Sequence, residues 1–145
     1  MAPIDKRIIK FIDEHHILNL AVVRDNQPWC ATCYYTYLKE ENLFVVTSDD
    51  DTRHVRDMVE GDNFRVAGTI ALETRIVGKI RGLQFSGVMF RPGEDFRARA
   101  KSAYLTRFPI ALMMKLHLWV IQPNLLKMTD NRLGFGTKLI WNSTQ

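Results

Sequence analysis

Residues 17–48 restrict the fold more than any other stretch, because three runs of strand-forming residues follow one another there with only turn chemistry between them. ILNLAVV (17–23) is the first, residues 29–38 are the second, and LFVVTS (43–48) is the third. RDNQ and KEEN separate them, and both are polar and turn-forming. The pattern predicts a β-meander. Two more strands are expected at about 64–73 and 79–90; HLWVIQP and LLKMTD read as strand, and TKLIW (137–141) as a last one.

Helical spacing appears in three places. Ile4, Ile8, Phe11 and Ile12 recur over 4–15, with Asp5 in the first turn. TRHVRDMVEG (52–61) predicts a short helix with Val55, Met58 and Val59 inward and Gly61 as its stop. In 93–109, Glu94 and Asp95 complement the N-terminal dipole, Phe96, Ala100, Ala103 and Phe108 form an inward stripe, and Pro109 ends the helix. Six or seven short strands with a few helices predict a mainly β fold with α, a small barrel with peripheral helices in a single domain, 1–145.

No apolar run is long enough to cross a bilayer: IALMMKLHLWVI is short and interrupted by Lys115 and His117. The N-terminal residues mix charge among apolar positions, unlike a secretory signal, so a cytoplasmic location is expected. Charge is uneven. Residues 1–60 hold seven Lys/Arg against eleven Asp/Glu, whereas 61–145 hold thirteen against five. A basic half suits an anionic partner such as a phosphorylated small molecule, although a solvated basic surface is the commoner case at a net charge of +4.

WCATC (29–33) has the form of a redox dithiol, but the following YYTYL is strand material. On a strand Cys30 and Cys33 point to opposite faces with Cα atoms roughly 10 Å apart, beyond the ~7 Å limit of a disulfide. No second Cys-x-x-Cys or His pair completes a zinc site. Alternation also puts Tyr35 and Tyr37 on one face and Tyr34 on the other.

The chemistry-bearing stretch is VVTSDDDTRHVRD (45–57). A strand ends in Thr47-Ser48, an acidic turn follows, and Thr52-Arg53-His54 opens a helix whose free N–H groups and cations make a phosphate cradle. Asp49, Asp50 and Asp51 offer the competing reading, a locally neutralised surface turn. IRGLQFSG (80–87) and TDNRLGFGTKLIW (129–141) contain glycines that suit bulges and turns. No Gly-x-Ser-x-Gly, His-Glu-x-x-His or Walker motif occurs, so a reactive centre would be a cofactor that the chain holds and tunes.

Taken in order, PWCA, TRH, IRGLQFSG, RFP and TDNRLGFGTKLIW resemble the FMN-binding split β-barrel proteins related to pyridoxamine 5′-phosphate oxidase, and within them the bacterial YhbP-like group. The resemblance spans nearly the whole chain. It implies a six- to seven-stranded split barrel that dimerises with itself and holds FMN between subunits. It places Thr32, Cys33 and Tyr34 near the flavin ring or ribityl chain, Thr47 and Ser48 along the ribityl–phosphate, and Thr52, Arg53 and His54 on the phosphate. Gln84 and Lys138 are further candidates, Lys138 reaching across the dimer. Ala31 and Thr36 stand where the oxidase has basic residues, and its Arg-Leu-His substrate motif is absent. The resemblance therefore implies FMN binding, and a flavin-dependent oxidoreductase acting on some small molecule, rather than oxidation of pyridoxamine phosphate. Two alternatives remain: haem or a deazaflavin in the same barrel, with His54 or His117 available to iron, and a nucleic-acid module using Arg97 and Lys101. No RNA-binding or helix-turn-helix signature supports the last, so nucleic acid is not the expected partner.

Overall fold

In the computed structural model, which describes residues 2–145, the meander is β1 (Ile17–Arg24), β2 (Gln27–Leu38) and β3 (Leu43–Thr47), each antiparallel to the next. Arg24 pairs with Gln27, leaving a two-residue loop. Asp25 (φ 49°) and Asn26 (φ 61°) take the left-handed conformation that such hairpins need, and both residue types tolerate it.

β4 (Arg65–Ala71), β5 (Arg81–Phe90), β6 (Leu118–Asp130) and β7 (Lys138–Asn142) extend the sheet in the order β3-β2-β1-β4-β5-β6-β7. The first part of β6 also pairs with β3, from Thr47↔Leu118 to Phe44↔Ile121. That pairing closes β1–β6 into a ring, and β7 lies outside it on the second part of β6. HLWVIQP and LLKMTD are thus one 13-residue strand. Pro123 lacks a ladder N–H, and a bulge accommodates it. Ser86 pairs with Leu125 and Gly87 with Pro123, which leaves Asn124 as the extra residue. Gly87 is needed at that approach, since a Cβ would lie 2.3 Å from the Gln122 carbonyl oxygen.

The main core fills the ring. Phe44 and Phe85 stack there at 5.1 Å, and Gly68 makes room for the Phe85 ring, 2.3 Å from where a Cβ would stand. Helix α1 (Lys6–Glu14) adds buried Ile8, Phe11 and Ile12 to it. Each large apolar side chain buried this way contributes roughly 1.5–3 kcal/mol. Asp5 caps α1 from outside, accepting from Arg7 N at 2.8 Å. Arg107 closes its other end by donating to the carbonyls of Asp13 and His15.

Helix α2 (Arg53–Glu60) buries Val55 and Met58 as expected, but Val59 is 46 % exposed and His54 and Asp57 turn inward instead. Gly61 does end α2, with a right-handed φ of −79°. Its need for glycine is spatial, because a Cβ would meet the Asp57 carbonyl at 2.6 Å. Helix α3 (Glu94–Arg107) buries Ala100 and Tyr104, while Phe96, Ala103 and Phe108 are only half-buried. It lies on the outer side of the barrel, where Ala100 and Tyr104 meet Val45 and Leu118 in a small second core. No helix among the described residues is long and apolar enough to cross a membrane.

Candidate functional site

β2 divides the expected residues between two faces. Thr32 and Tyr34 point outward, Tyr34 being 58 % exposed, whereas Cys33 and Tyr35 point into the core. Tyr37 joins Tyr35 inside, as alternation requires. Cys30 is exposed and Cys33 buried, both as free thiols, so WCATC is no dithiol. Burial also pushes the Cys33 thiol pKa up, which keeps it protonated and unreactive.

The same division continues at the end of β3. Thr47 shares the outer face with Val45, and its hydroxyl accepts from His117 N at 3.1 Å. Ser48 turns inward, with Oγ 2.8 Å from His54 Nε2 and 4.0 Å from Cys33 Sγ, while its own N–H donates to the His117 carbonyl at 3.0 Å. His54 is buried, and desolvation lowers its pKa below 6.5 against an opposing pull from Asp57. At neutral pH its imidazole is therefore uncharged and engaged with Ser48. The sequence had suggested a cation facing a phosphate.

Thr52 is the N-cap of α2, yet its hydroxyl donates backward to the Asp49 carbonyl at 2.8 Å and no side chain caps the helix. The first intrahelical bond is Arg56 N to Thr52 O at 3.0 Å, so the N–H groups of Arg53, His54 and Val55 lack intrahelical acceptors. Arg53 holds its guanidinium 3.9 Å above the Trp29 ring and its Nε 3.4 Å from Asp57. Of the acidic turn, Asp50 is paired with Arg91 at 3.0 Å and Asp49 lies 3.9 Å from His117 Nε2. Arg56 is exposed with no carboxylate partner among the described residues. Arg91 thus neutralises Asp50 from a distance in sequence and Asp57 engages Arg53, which leaves Arg56 as the cation of this first turn without a carboxylate partner among the described residues.

Gln84 belongs to a polar row on the outer face. Thr32 pairs with Asn19, Asn19 with Thr69, and Thr69 with Gln84, across β2, β1, β4 and β5. The Thr32 hydroxyl donates to Asn19 Oδ1 at 3.1 Å. Lys138 stands apart. Its Nζ donates to Thr129 Oγ1 at 2.8 Å, at the end of β6 opposite Leu118 and hence on the order of 30 Å along the strand from Thr47. The sequence reading brought Thr47, Ser48, Thr52, Arg53 and His54 together because they are contiguous. It missed Trp29 as the platform for Arg53, and Asn19 and Thr69 as the links between Thr32 and Gln84. Asn19, a polar residue inside ILNLAVV, was the one signal available. Among the described residues no three His, Cys, Asp or Glu side chains are placed to hold a metal.

A six-strand ring with a seventh strand outside and helices against it defines a split β-barrel. The chain belongs to the UPF0306 family, which includes YhbP. It is 39 % identical over 132 residues to a UPF0306 protein of Klebsiella pneumoniae, covering 91 % of this chain and 88 % of that protein. To UPF0306 protein YhbP of Escherichia coli it is 34 % identical over 134 residues, covering 92 % and 90 %. No family model matches the sequence. Among solved structures, a heme binding protein from Mycobacterium smegmatis superposes with TM-score 0.74 and 18 % identity over 92 % of this chain, which spans 58 % of that longer one. The Vibrio cholerae heme storage protein HutZ gives 0.67 at 20 % identity, covering 84 % and 91 %. A FAD-binding protein of Mesorhizobium loti gives 0.69 at 13 % identity, covering 85 % and 91 %. At such identities the likeness is one of fold.

Proposed function

We propose that the chain is a homodimeric FMN-binding protein, with the flavin phosphate at the start of α2 and the ring along the outer face of β2. The observation that carries this reading is the uncapped start of α2, where three N–H groups lack intrahelical acceptors and Arg53 and Arg56 belong to the same first turn. A phosphate would accept from those N–H groups, and the two arginines would offset its charge. Thr32, Tyr34 and Thr47 share the outer face, and the Asn19–Thr69–Gln84 row continues it with further donors and acceptors. Cys33, Ser48 and His54 support that face from inside: Cys33 contributes through its backbone, and His54 orients Ser48. Flavin- and haem-binding proteins among the structural neighbours favour a cofactor of this class.

Bound FMN would supply electron transfer to a small-molecule substrate, which makes the protein a flavin-dependent oxidoreductase in this reading. The chain's part is to bind and orient. Lys138 reaches the flavin only from a second copy. Phe135, 82 % exposed on the loop before β7, and exposed Ile140 on β7 itself give that copy apolar surface to cover.

An absorption spectrum before and after excess FMN and gel filtration tests the reading. About one flavin retained per chain supports it, and a colourless protein that refuses FMN overturns it. Arg53→Ala should weaken FMN binding at least about tenfold, since a charge-assisted hydrogen bond contributes about 1.5–3 kcal/mol. Unchanged affinity removes Arg53 from the site. Haem is the second reading, favoured by the two haem-protein neighbours and by His117, partly accessible at the same end of the barrel. A Soret band would decide for it.

A further inference from the structure

A second cleft shares no lining residue with the site above. After α3 the chain forms a 3₁₀ turn at Pro109–Met113, and a cleft of about 320 Å³ opens between this turn, the segment after it and α3. That volume falls at the lower end of the roughly 300–1,000 Å³ of small-ligand sites. Arg97 and Lys101 line it from α3, one helical turn apart, and Lys115 lines it from the opposite wall. None of the three has a carboxylate within ion-pair distance among the described residues, and no acidic residue lines the cleft. Beneath them the surface is apolar. Buried Ala111 and Leu118 form its floor and belong to the small core, while Leu112 (73 % exposed) and Met114 (60 % exposed) stand uncovered at its side.

We propose that this cleft binds an amphiphilic carboxylate, its head on Arg97, Lys101 and Lys115 and its aliphatic chain on Leu105, Leu112 and Met114. Three cations without counter-charges around one opening repel each other, and an anion relieves that repulsion. A purely hydrophilic anion would leave the apolar floor and the side chains of Leu112 and Met114 wet, whereas a hydrocarbon chain removes them from water at roughly 25 cal/mol per Å². Nucleic acid fits less well, because no aromatic side chain lines the cleft for a base to stack on.

Calorimetric titration of the full chain with decanoate, below the concentration at which it forms micelles, tests the proposal, with decanol and decyltrimethylammonium as controls. Decanoate should bind at least about tenfold more tightly than either control. Lys101→Glu, and separately Lys115→Glu, should each weaken decanoate at least tenfold while leaving FMN uptake unchanged. Because both lysines are exposed, folding is not at stake, and FMN uptake distinguishes a failure here from a failure of the cofactor reading. Equal binding of decanol and decanoate overturns the proposal, as does an unaffected Lys101→Glu variant. Association only with phosphatidylglycerol vesicles would make the cleft a lipid-surface contact. Absent decanoate binding, with an altered oligomeric state in Lys101→Glu, would assign it to a second copy of the chain.

Discussion

His54 shows how a residue that reads as a ligand in sequence becomes a support in three dimensions. Its Nε2 meets Ser48 Oγ at 2.8 Å inside the barrel, and desolvation holds its pKa below the ordinary 6.5. The folded state resists a proton that the unfolded chain accepts. His54 therefore stabilises the fold fully above about pH 6.5, and this contribution is lost as pH falls through the depressed folded pKa. His54→Gln keeps a polar group near Ser48 without titrating. Urea denaturation at intervals from pH 7.5 to 5 should show the wild type losing more stability on acidification than the variant; parallel curves would mean that His54 does not sense protons in the fold. Nothing in TRH distinguishes a buried imidazole from an exposed one, because the difference lies in the closure of β3 onto β6 beside it.

At the scale of elements, α2 is a short helix whose start is left without a side-chain cap. Asp at an N-cap accepts from the first amides and complements the dipole, stabilising a helix by about 0.5–2 kcal/mol relative to a non-capping residue. Thr52→Asp should therefore raise the thermal midpoint while weakening FMN binding, since its carboxylate would occupy the position proposed for the phosphate. Tighter FMN binding in that variant would argue against a phosphate at this helix start. The meander and the three helices were legible because their signals are local: turn residues, strand-forming runs and 3.6-residue spacing. Val59 was misplaced because the inward face of α2 is set by β1 and by the Ser48–His54 contact, not by hydrophobicity alone. Pro123 concealed the continuity of β6, since only the bulge at Asn124, opposite Gly87 on another strand, makes a proline tolerable there. The Thr32–Asn19–Thr69–Gln84 row was invisible for the same reason, because it exists only once three strand registers are fixed.

For the whole molecule, the decisive feature is that β6 joins three partners: β5 along its length, β3 at its start and β7 at its end. Opening the ring means breaking β6 out of the sheet, so its central amides should exchange only with global unfolding. Val120, Ile121, Leu126 and Met128 are expected to exchange at least about tenfold more slowly than Leu139 and Ile140 on β7, which lies outside the ring. Comparable rates would mean that β7 is part of the cooperative unit. The stacking of Arg53 on Trp29 has an optical consequence. Trp119 and Trp141 are buried, so Trp29 alone among the three indoles reaches solvent, and it lies beneath the very guanidinium proposed to grip the phosphate. Its fluorescence is a built-in gauge of that grip, able to follow cofactor capture in real time without a label.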